Sequence, residues 1–419
     1  MTKQSPTIEQ ALEAFLAGHA CVSEAEEVSL LHAMNRVLAE DIRAPFSVPS
    51  FPKSAMDGYA VRASEVAEAT AAHPVVLRVI GERLAGESLP LTGNVEGQEA
   101  DSVKCMDHGT ALRIMTGAEV PPAYDAVVRE EDTDYGETQV QIFRGVKQFQ
   151  NYCAVGEDIR EGDIVIPAGT RLGRIEIGTL ASLGFAMVPV RRKLNIQIIS
   201  TGTELVDVKV SSPLPSGKIY NSIAYMLEAS LLSAGFEATH VICEDEEAAI
   251  QSAIENAMES AADIIITTGG VSVGKKDLLP AILQEIGADV RFQRAQIQPG
   301  TPTIGSVYHG IPILSLSGNP YAAVANFDYY FWPLAAKLTA CDAYLPSVEE
   351  AILATPYEKV NASRRLLRAY VKQGKVFLPA KSHASSVLSN LMNCNCYLDL
   401  PAGTSVKPGD VVTIRRMPF

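Results

Sequence analysis

From Leu194 onward, apolar runs alternate with amphipathic stretches, a pattern that few folds can satisfy. "LNIQIIS", "ATHVICED", "ADIIIT" and "IPILSL" each have the length of a buried strand. "NSIAYMLEASLLSAG" places Ile223, Met226, Leu227 and Leu231 on one helical face and stops at Gly235. "EEAAIQSAIENAMESA" repeats the helical period, and "SGNPYAAVANF" opens another helix. Strands that alternate with helices need crossover connections, so the segment is expected to form a parallel, doubly wound sheet. In such a sheet, ligands bind outside the carboxyl ends of the strands. Three loops are placed there: "STGTEL" (200–205), "TTGGVSVGKKD" (267–277) and "LSGNP" (316–320).

The second loop resembles a P-loop through Gly269, Gly274 and Lys275, but Lys276 stands where a Ser or Thr would ligate Mg²⁺. Glycines and hydroxyls in all three loops would let backbone N–H groups approach an anion, and helix N-termini would favour it. One Gly-rich loop alone is more often a plain turn; three at one sheet edge favour an anion site. Glu204 and Asp277 flank two of them, as expected where a divalent cation accompanies phosphate.

Elsewhere the pattern is different. Thr7 and Gln10 form a capping-box signature ahead of a helix with Ile8, Ala11, Leu12 and Phe15 on its apolar face. "EEVSLLHAMNRVLAEDI" is expected to give a short strand and a second helix, and prolines between Pro45 and Pro52 exclude helix after it. Residues 46–140 show the short broken runs of a β-rich domain. Residues 155–172 form a β-rich connection leading to a helix through "RIEIGTLASLG", and the tail from about 340 suggests a small β-barrel.

Charge and composition narrow the function. The formal net charge of −14 argues against a general nucleic-acid binder, which needs Lys and Arg to neutralise phosphates, but not against a local basic pocket. No apolar run approaches the roughly 20 residues that span a bilayer, and the N-terminus lacks a signal-peptide core. Seven scattered cysteines do not make a disulfide framework, so a cytoplasmic protein without membrane or nucleic-acid partners is expected. Cys394 and Cys396 are expected to be alternating strand residues rather than metal ligands.

In order along the chain, "FPKSAMDGYAV", "LRIMTGAEVPPAYDAVVREE", "GEDIREGD…PAGTRL", "ISTGTEL", "TTGGVSVGKKD" and "LSGNP" are similar to the motifs of the MoeA family. These are molybdopterin molybdotransferases, also found as the E domain of gephyrin-like proteins. The resemblance covers nearly the whole chain and sets the P-loop reading aside. It implies a multidomain fold of α/β plus β parts, assembled as an elongated homodimer. The expected divisions are 1–45 with 141–190 (domain I), 46–140 (domain II, inserted and β-rich), 191–337 (domain III, MogA-like α/β) and 338–419 (domain IV, β-barrel). The family's cleft lies between domain III of one subunit and domain II of the other. The activity implied is Mg²⁺-dependent insertion of molybdate into adenylylated molybdopterin with release of AMP. A MogA-type adenylyltransferase is a further implied partner.

Residue by residue, the resemblance implies catalytic roles for Asp57, Thr116, Asp158 and Glu204, and metal ligation by Asp57, Asp245 and Asp277. Substrate contacts are implied for Gly269, Gly270, Ser272, Gly274, Asp277, Gly318, Asn319 and Pro320, and in the last domain for Arg368 and Ser385, either of which could instead be barrel surface. The departures are specific. "QPGTP" puts Gln298 and Thr301 where the family carries lysines for molybdate and phosphate, and Ala322 replaces a serine. Arg294, Lys275 and Lys276 are candidate replacement charges. The alternative is a diverged MoeA-like protein that binds pterin-adenylate but has altered or lost oxyanion insertion, or that uses tungstate, which resembles molybdate in size and charge. A scaffold role, as in gephyrin-like relatives, lacks an appended module or long linker here.

Overall fold

The computed structural model describes residues 5–87, 108–210, 213–271, 278–380 and 384–418. The expected contacts Ser272, Gly274 and Asp277, with Lys275 and Lys276, lie outside the described residues. The chain divides into two compact units. One comprises Met1–Glu40, Ala168–Ile177 and Met187–Phe419; the other comprises Asp41–Pro167 and Gly178–Ala186.

The second unit is β-rich, as its sequence suggested. Its five-stranded sheet runs Ala126–Arg129, Gly58–Val61, Thr110–Ile114, Val75–Arg83, Gln139–Ile142. Tyr59, Val61, Val66, Leu77, Val128, Val140 and Ile142 pack one face into a core. Asp125, just ahead of the sheet's edge strand, accepts from the backbone N–H of Ala63 at 2.8 Å and so ties a loop to the sheet.

In the first unit, the capping box at Thr7 is formed in both directions and opens the helix Ile8–Leu16, which buries Ile8, Ala11 and Phe15. The second helix expected after "EEVS" is absent. The strand Ala25–Ser29 is followed by a single 3₁₀ turn, Leu30–Ala33. Asn35 then takes a left-handed conformation (φ 64°), and Val37 and Leu38 bridge to Arg171 and Val190. Pairing with distant backbone overrides the local apolar spacing.

The α/β sheet has six strands in the order Glu237–Cys243, Asn195–Thr201, Ile264–Thr268, Ile311–Leu316, Ile304–Tyr308, Asp289–Gln293. The first four are parallel, as expected. The other end is antiparallel: Ile304–Tyr308 and Ile311–Leu316 form a hairpin, so the sheet is mixed rather than wholly parallel. The cause is local. His309 and Gly310 both have positive φ (48° and 86°), the geometry of a two-residue turn whose twist suits a hairpin. The 20-residue helix Pro320–Thr339 is buried almost all round, with Phe327, Phe331 and Trp332 in the main core.

The terminal β-barrel is present. Val348–Leu353, Arg364–Lys372, Lys375–Phe377, Cys396–Leu400 and Val411–Arg416 form a sheet that closes when Arg364–Lys372 pairs with Cys396–Leu400. Closure leaves no free edge among these strands. Cys396 is a buried strand residue, whereas Cys394 precedes the strand and its thiol donates to the Asn390 carbonyl. The alternating-strand expectation therefore holds for Cys396 alone.

Candidate active site

The strand Asn195–Thr201 has neighbours on both sides, and the chain visits one side through Glu237–Cys243 and then the other through Ile264–Thr268. That reversal is the topological switch point at which open α/β sheets bind ligands. Register brings the loops together: Ser200 lies opposite Thr268, and Thr268 opposite Leu316. The chain therefore leaves all three strands at one level. A cavity of about 420 Å³ opens there, lined by Thr201, Gly202, Glu204, Asp245, Gly269, Gly270, Gly318, Asn319 and Pro320 among others. Its size suits a small organic ligand.

Each loop is fitted to this edge. Gly269 has φ 96°, and a Cβ there would lie 2.5 Å from the Thr201 carbonyl oxygen, so any side chain would push two of the loops apart. The Thr268 hydroxyl donates to Ser200 Oγ at 3.0 Å. Asn319 occupies the N-cap of the long helix, yet its side chain makes no capping bond. The positive end of that helix dipole thus faces the cavity beside an uncommitted amide.

Two carboxylates share the lining. Asp245 Oδ2 accepts from the Thr203 N–H at 3.2 Å, which orients it, and Glu204 is exposed at the cavity wall. The Lys218 ammonium donates to the Thr203 carbonyl in the same loop.

The segment Tyr220–Ser222 also lines the cavity and was missed from sequence. Asn221 caps the helix Ser222–Ala234: its Oδ1 accepts from Ala224 N at 3.3 Å. Its Nδ2, however, is buried with no partner among the described residues, and the residue is 2% exposed. A buried amide donor without an acceptor is costly, and a ligand oxygen in the cavity would relieve it.

Arg368 and Ser385 lie against Tyr321 of the long helix, outside the cavity lining. Arg368 is fully buried, which removes the barrel-surface alternative for it. Its guanidinium lies 3.9 Å over the Tyr321 ring, donates to the Ala384 carbonyl at 2.6 Å and also bonds the Val387 carbonyl. The Ser385 carbonyl accepts from Tyr321 N at 3.0 Å. Arg368 therefore fastens the 384–387 segment to the first turn of the long helix and does not line the cavity. Arg294 does not line it either; its backbone N–H donates to Thr303 at 2.9 Å.

In the second unit, Asp57 and Thr116 are brought together. Asp57 Oδ1 accepts from Thr116 N at 2.7 Å and from Thr116 Oγ1 at 2.8 Å. The backbone bond and then the hydroxyl bond hold the carboxyl below its ordinary pKa, so an exposed acid is kept ionised. Asp158 is exposed in a shallow depression with Glu157, Arg160 and Asp163, and its N–H donates to Val48 at 3.1 Å.

Known proteins give the same assignment. Residues 6–184 match the family model "MoeA N-terminal region (domain I and II)", 197–337 the "Probable molybdopterin binding domain" and 350–415 the "MoeA C-terminal region (domain IV)". The molybdopterin molybdenumtransferase of Bacillus subtilis is 38% identical over 389 residues, covering 91% of this chain and 87% of that one. Its counterpart in Haemophilus influenzae is 33% identical over 416 residues, covering 97% and 98%. The crystal structure of the molybdopterin biosynthesis MoeA protein of Pyrococcus horikoshii superposes with a TM-score of 0.80 at 27% identity, covering 99% of both chains. With relatives matched from end to end and three family segments in order, the chain belongs to the MoeA family, the molybdopterin molybdenumtransferases of molybdenum cofactor biosynthesis.

Proposed function

We propose that the chain inserts molybdate into adenylylated molybdopterin in a Mg²⁺-dependent reaction that releases AMP, acting in the cytoplasm as a homodimer of four-domain subunits. The observation that carries this reading is the α/β cavity, where a helix N-terminus and the orphaned Asn221 amide stand at one space lined by Gly270, Gly318 and Asn319. Such a donor set suits phosphate and pterin oxygens.

The residues fit a magnesium ion of modest protein ligation. Among the described residues no group of three or more His, Cys, Asp or Glu is gathered for a metal, yet Glu204 and Asp245 line one cavity. Mg²⁺ is commonly held by one or two carboxylates plus substrate phosphates and water. Glu204 and Asp245 would hold it, and when bound it would neutralise charge on the pyrophosphate. Asp57, kept anionic by Thr116, would serve as a base for the attacking water or as a further metal ligand.

AMP release from adenylylated molybdopterin measures the reaction directly. Expected is Mg²⁺- and molybdate-dependent AMP release, together with rescue of a bacterial strain that lacks the transferase. Asp57→Ala should abolish AMP release while lowering the melting temperature only slightly, because Asp57 is exposed and its side chain loses only the two hydrogen bonds from Thr116. Undiminished turnover by a folded Asp57→Ala protein would remove its assigned role.

A second reading, altered oxyanion handling, has one observation in its favour. The Thr301 hydroxyl donates to the Ile297 carbonyl at 2.6 Å, so it is engaged within its own loop and does not stand in for a lysine.

A further inference from the structure

One side of the cavity is a two-strand ladder. Leu205–Val206 runs parallel to Ile219–Tyr220. The Ile219 N–H donates to the Glu204 carbonyl at 2.8 Å, and the Asn221 N–H to the Val206 carbonyl at 3.0 Å. Glu204, Leu205, Ile219, Tyr220 and Asn221 all line the cavity. Two short strands alone are marginally stable, so this wall needs support from outside the ladder.

Asp207, which directly follows Val206, provides it. Its Oδ1 accepts from the Lys209 N–H at 2.7 Å and from the Tyr225 hydroxyl at 3.2 Å, and its Oδ2 lies 3.3 Å from His240 Nε2. The Lys209 N–H above all, and then His240 and Tyr225, hold the Asp207 carboxyl below its ordinary range, so it is an anion. Tyr225 and Glu228 stand four and seven residues beyond Asn221, on one side of the helix Ser222–Ala234.

His240 sits between that helix and Asp207. It belongs to the sheet's outer strand, Glu237–Cys243, and its side chain is 9% exposed. Its Nδ1 lies 2.5 Å from Glu228 Oε2, so each ring nitrogen faces a carboxylate. Tyr225 packs its ring 4.6 Å from the imidazole, and the adjacent strand sets Ile198 beside it. Lys209 adds a positive charge near Asp207, while the helix Glu247–Glu259 packs with Cys243 instead. A neutral imidazole carries one N–H and serves one carboxylate, leaving its bare nitrogen against the other. The imidazolium carries two and serves both. The Glu228 contact is the shorter, so Asp207 is the partner that loses its donor when the ring is neutral.

We propose that His240 is a positioning residue for the cavity: as imidazolium it joins Glu228 to Asp207 and pins the Glu204–Val206 wall to the helix capped by Asn221. It touches no substrate. Protonation and ligand binding then reinforce each other, since each favours the pinned wall. This rests on the reading that adenylylated molybdopterin occupies the cavity.

Calorimetry with adenylylated molybdopterin on the full-length protein, in two buffers of different ionisation enthalpy, tests it. In the parent, affinity should fall about fivefold or more from about pH 6 to about pH 8, where histidine ordinarily changes charge, and binding should take up protons. His240→Gln should bind at the lower pH as weakly as the parent does at the higher, without that proton uptake. Asp207→Asn, which keeps an acceptor for Lys209 and Tyr225, should behave likewise and serves if His240→Gln fails to fold. A His240→Gln protein with parental affinity at the lower pH overturns the proposal. So does one weakened by the same factor at every pH, which marks a purely structural role. Hydrogen exchange decides the case without ligand. Protection of the Ile219 and Asn221 amides, corrected for intrinsic rates, should fall over the same pH range in the parent and in neither variant. That pattern without binding of adenylylated molybdopterin leaves His240 in its role and removes the substrate reading. Protection that ignores pH in the parent removes the role of His240 whatever binds.

Discussion

Among the described residues, the Asp57 carboxylate accepts from Thr116 alone, through its backbone N–H and its hydroxyl, at a single oxygen. The second oxygen accepts no hydrogen bond among the described residues. Thr116→Ala keeps the backbone bond and deletes the hydroxyl bond, so the Asp57 carboxyl should rise toward its ordinary range. If ionised Asp57 is the base proposed above, activity should be lost at a higher pH on acidification than in the parent. A pH–rate profile of AMP release checks this; an acid limb that does not move would separate Thr116 from Asp57. Asn221 offers a second test. Asn221→Ala removes a helix cap worth about 1 kcal/mol and a cavity donor. It should lower stability by about that amount and also weaken adenylylated molybdopterin, whereas Asn221→Asp should keep the cap and still weaken the anionic ligand. Affinity unchanged in Asn221→Asp would make Asn221 a cap and nothing more.

The helix Pro320–Thr339 links site, core and barrel. Its first turn borders the cavity, its middle is core, and Asp328 joins it to the barrel by accepting from Trp332 Nε1 at 3.0 Å and the Tyr397 hydroxyl at 2.5 Å. Burial pushes the Asp328 carboxyl up to about 6, against which the two hydrogen bonds act only in part. A pKa raised on folding means that the folded state binds the proton more tightly. The associated stability is therefore fully present below the unfolded carboxyl range near 4 and is lost as pH rises through about 6. Asp328→Asn keeps an acceptor for Tyr397 or Trp332 and removes the charge. Its melting temperature should exceed the parent's at pH 8, and the difference should shrink between pH 6 and 4. A constant difference across that range would mean that Asp328 is not titrating there.

At the scale of the whole molecule, a chain of formal net charge −14 must gather two anionic substrates. Long-range attraction cannot do this, so on the proposed reading recognition falls to local donors at the cavity, a helix N-terminus and the Asn221 amide. Binding should be sensitive to salt chiefly for molybdate, the smaller and more charge-dense ligand. The proposed homodimer is checked by sedimentation equilibrium at micromolar concentration, where a dimer mass is expected and a monomer mass would remove the assembly. The described helices include none long and apolar enough to cross a membrane.

Local periodicity and loop chemistry carried much of this in the linear chain. The strands at 195, 237, 264 and 311 and the helix ending at Gly235 in a left-handed cap follow from buried runs and from a glycine placed where the backbone must turn left-handed. The capping box at Thr7 and the barrel texture of the tail were equally readable. What the sequence could not supply were pairings between distant segments. The turn at His309–Gly310 makes an antiparallel sheet end, and Val37 and Leu38 bridge remote backbone instead of continuing a helix. The family motif picked out Arg368, yet only the fold shows it buried and bonded to the Ala384 and Val387 carbonyls, while Arg365 bonds Gln298 and Asn361. Local sequence determines propensity and turn chemistry, which act over a few residues. Whether a given arginine meets Asp399 or Gln298 depends on strand register across the chain, and the tertiary structure alone decides that.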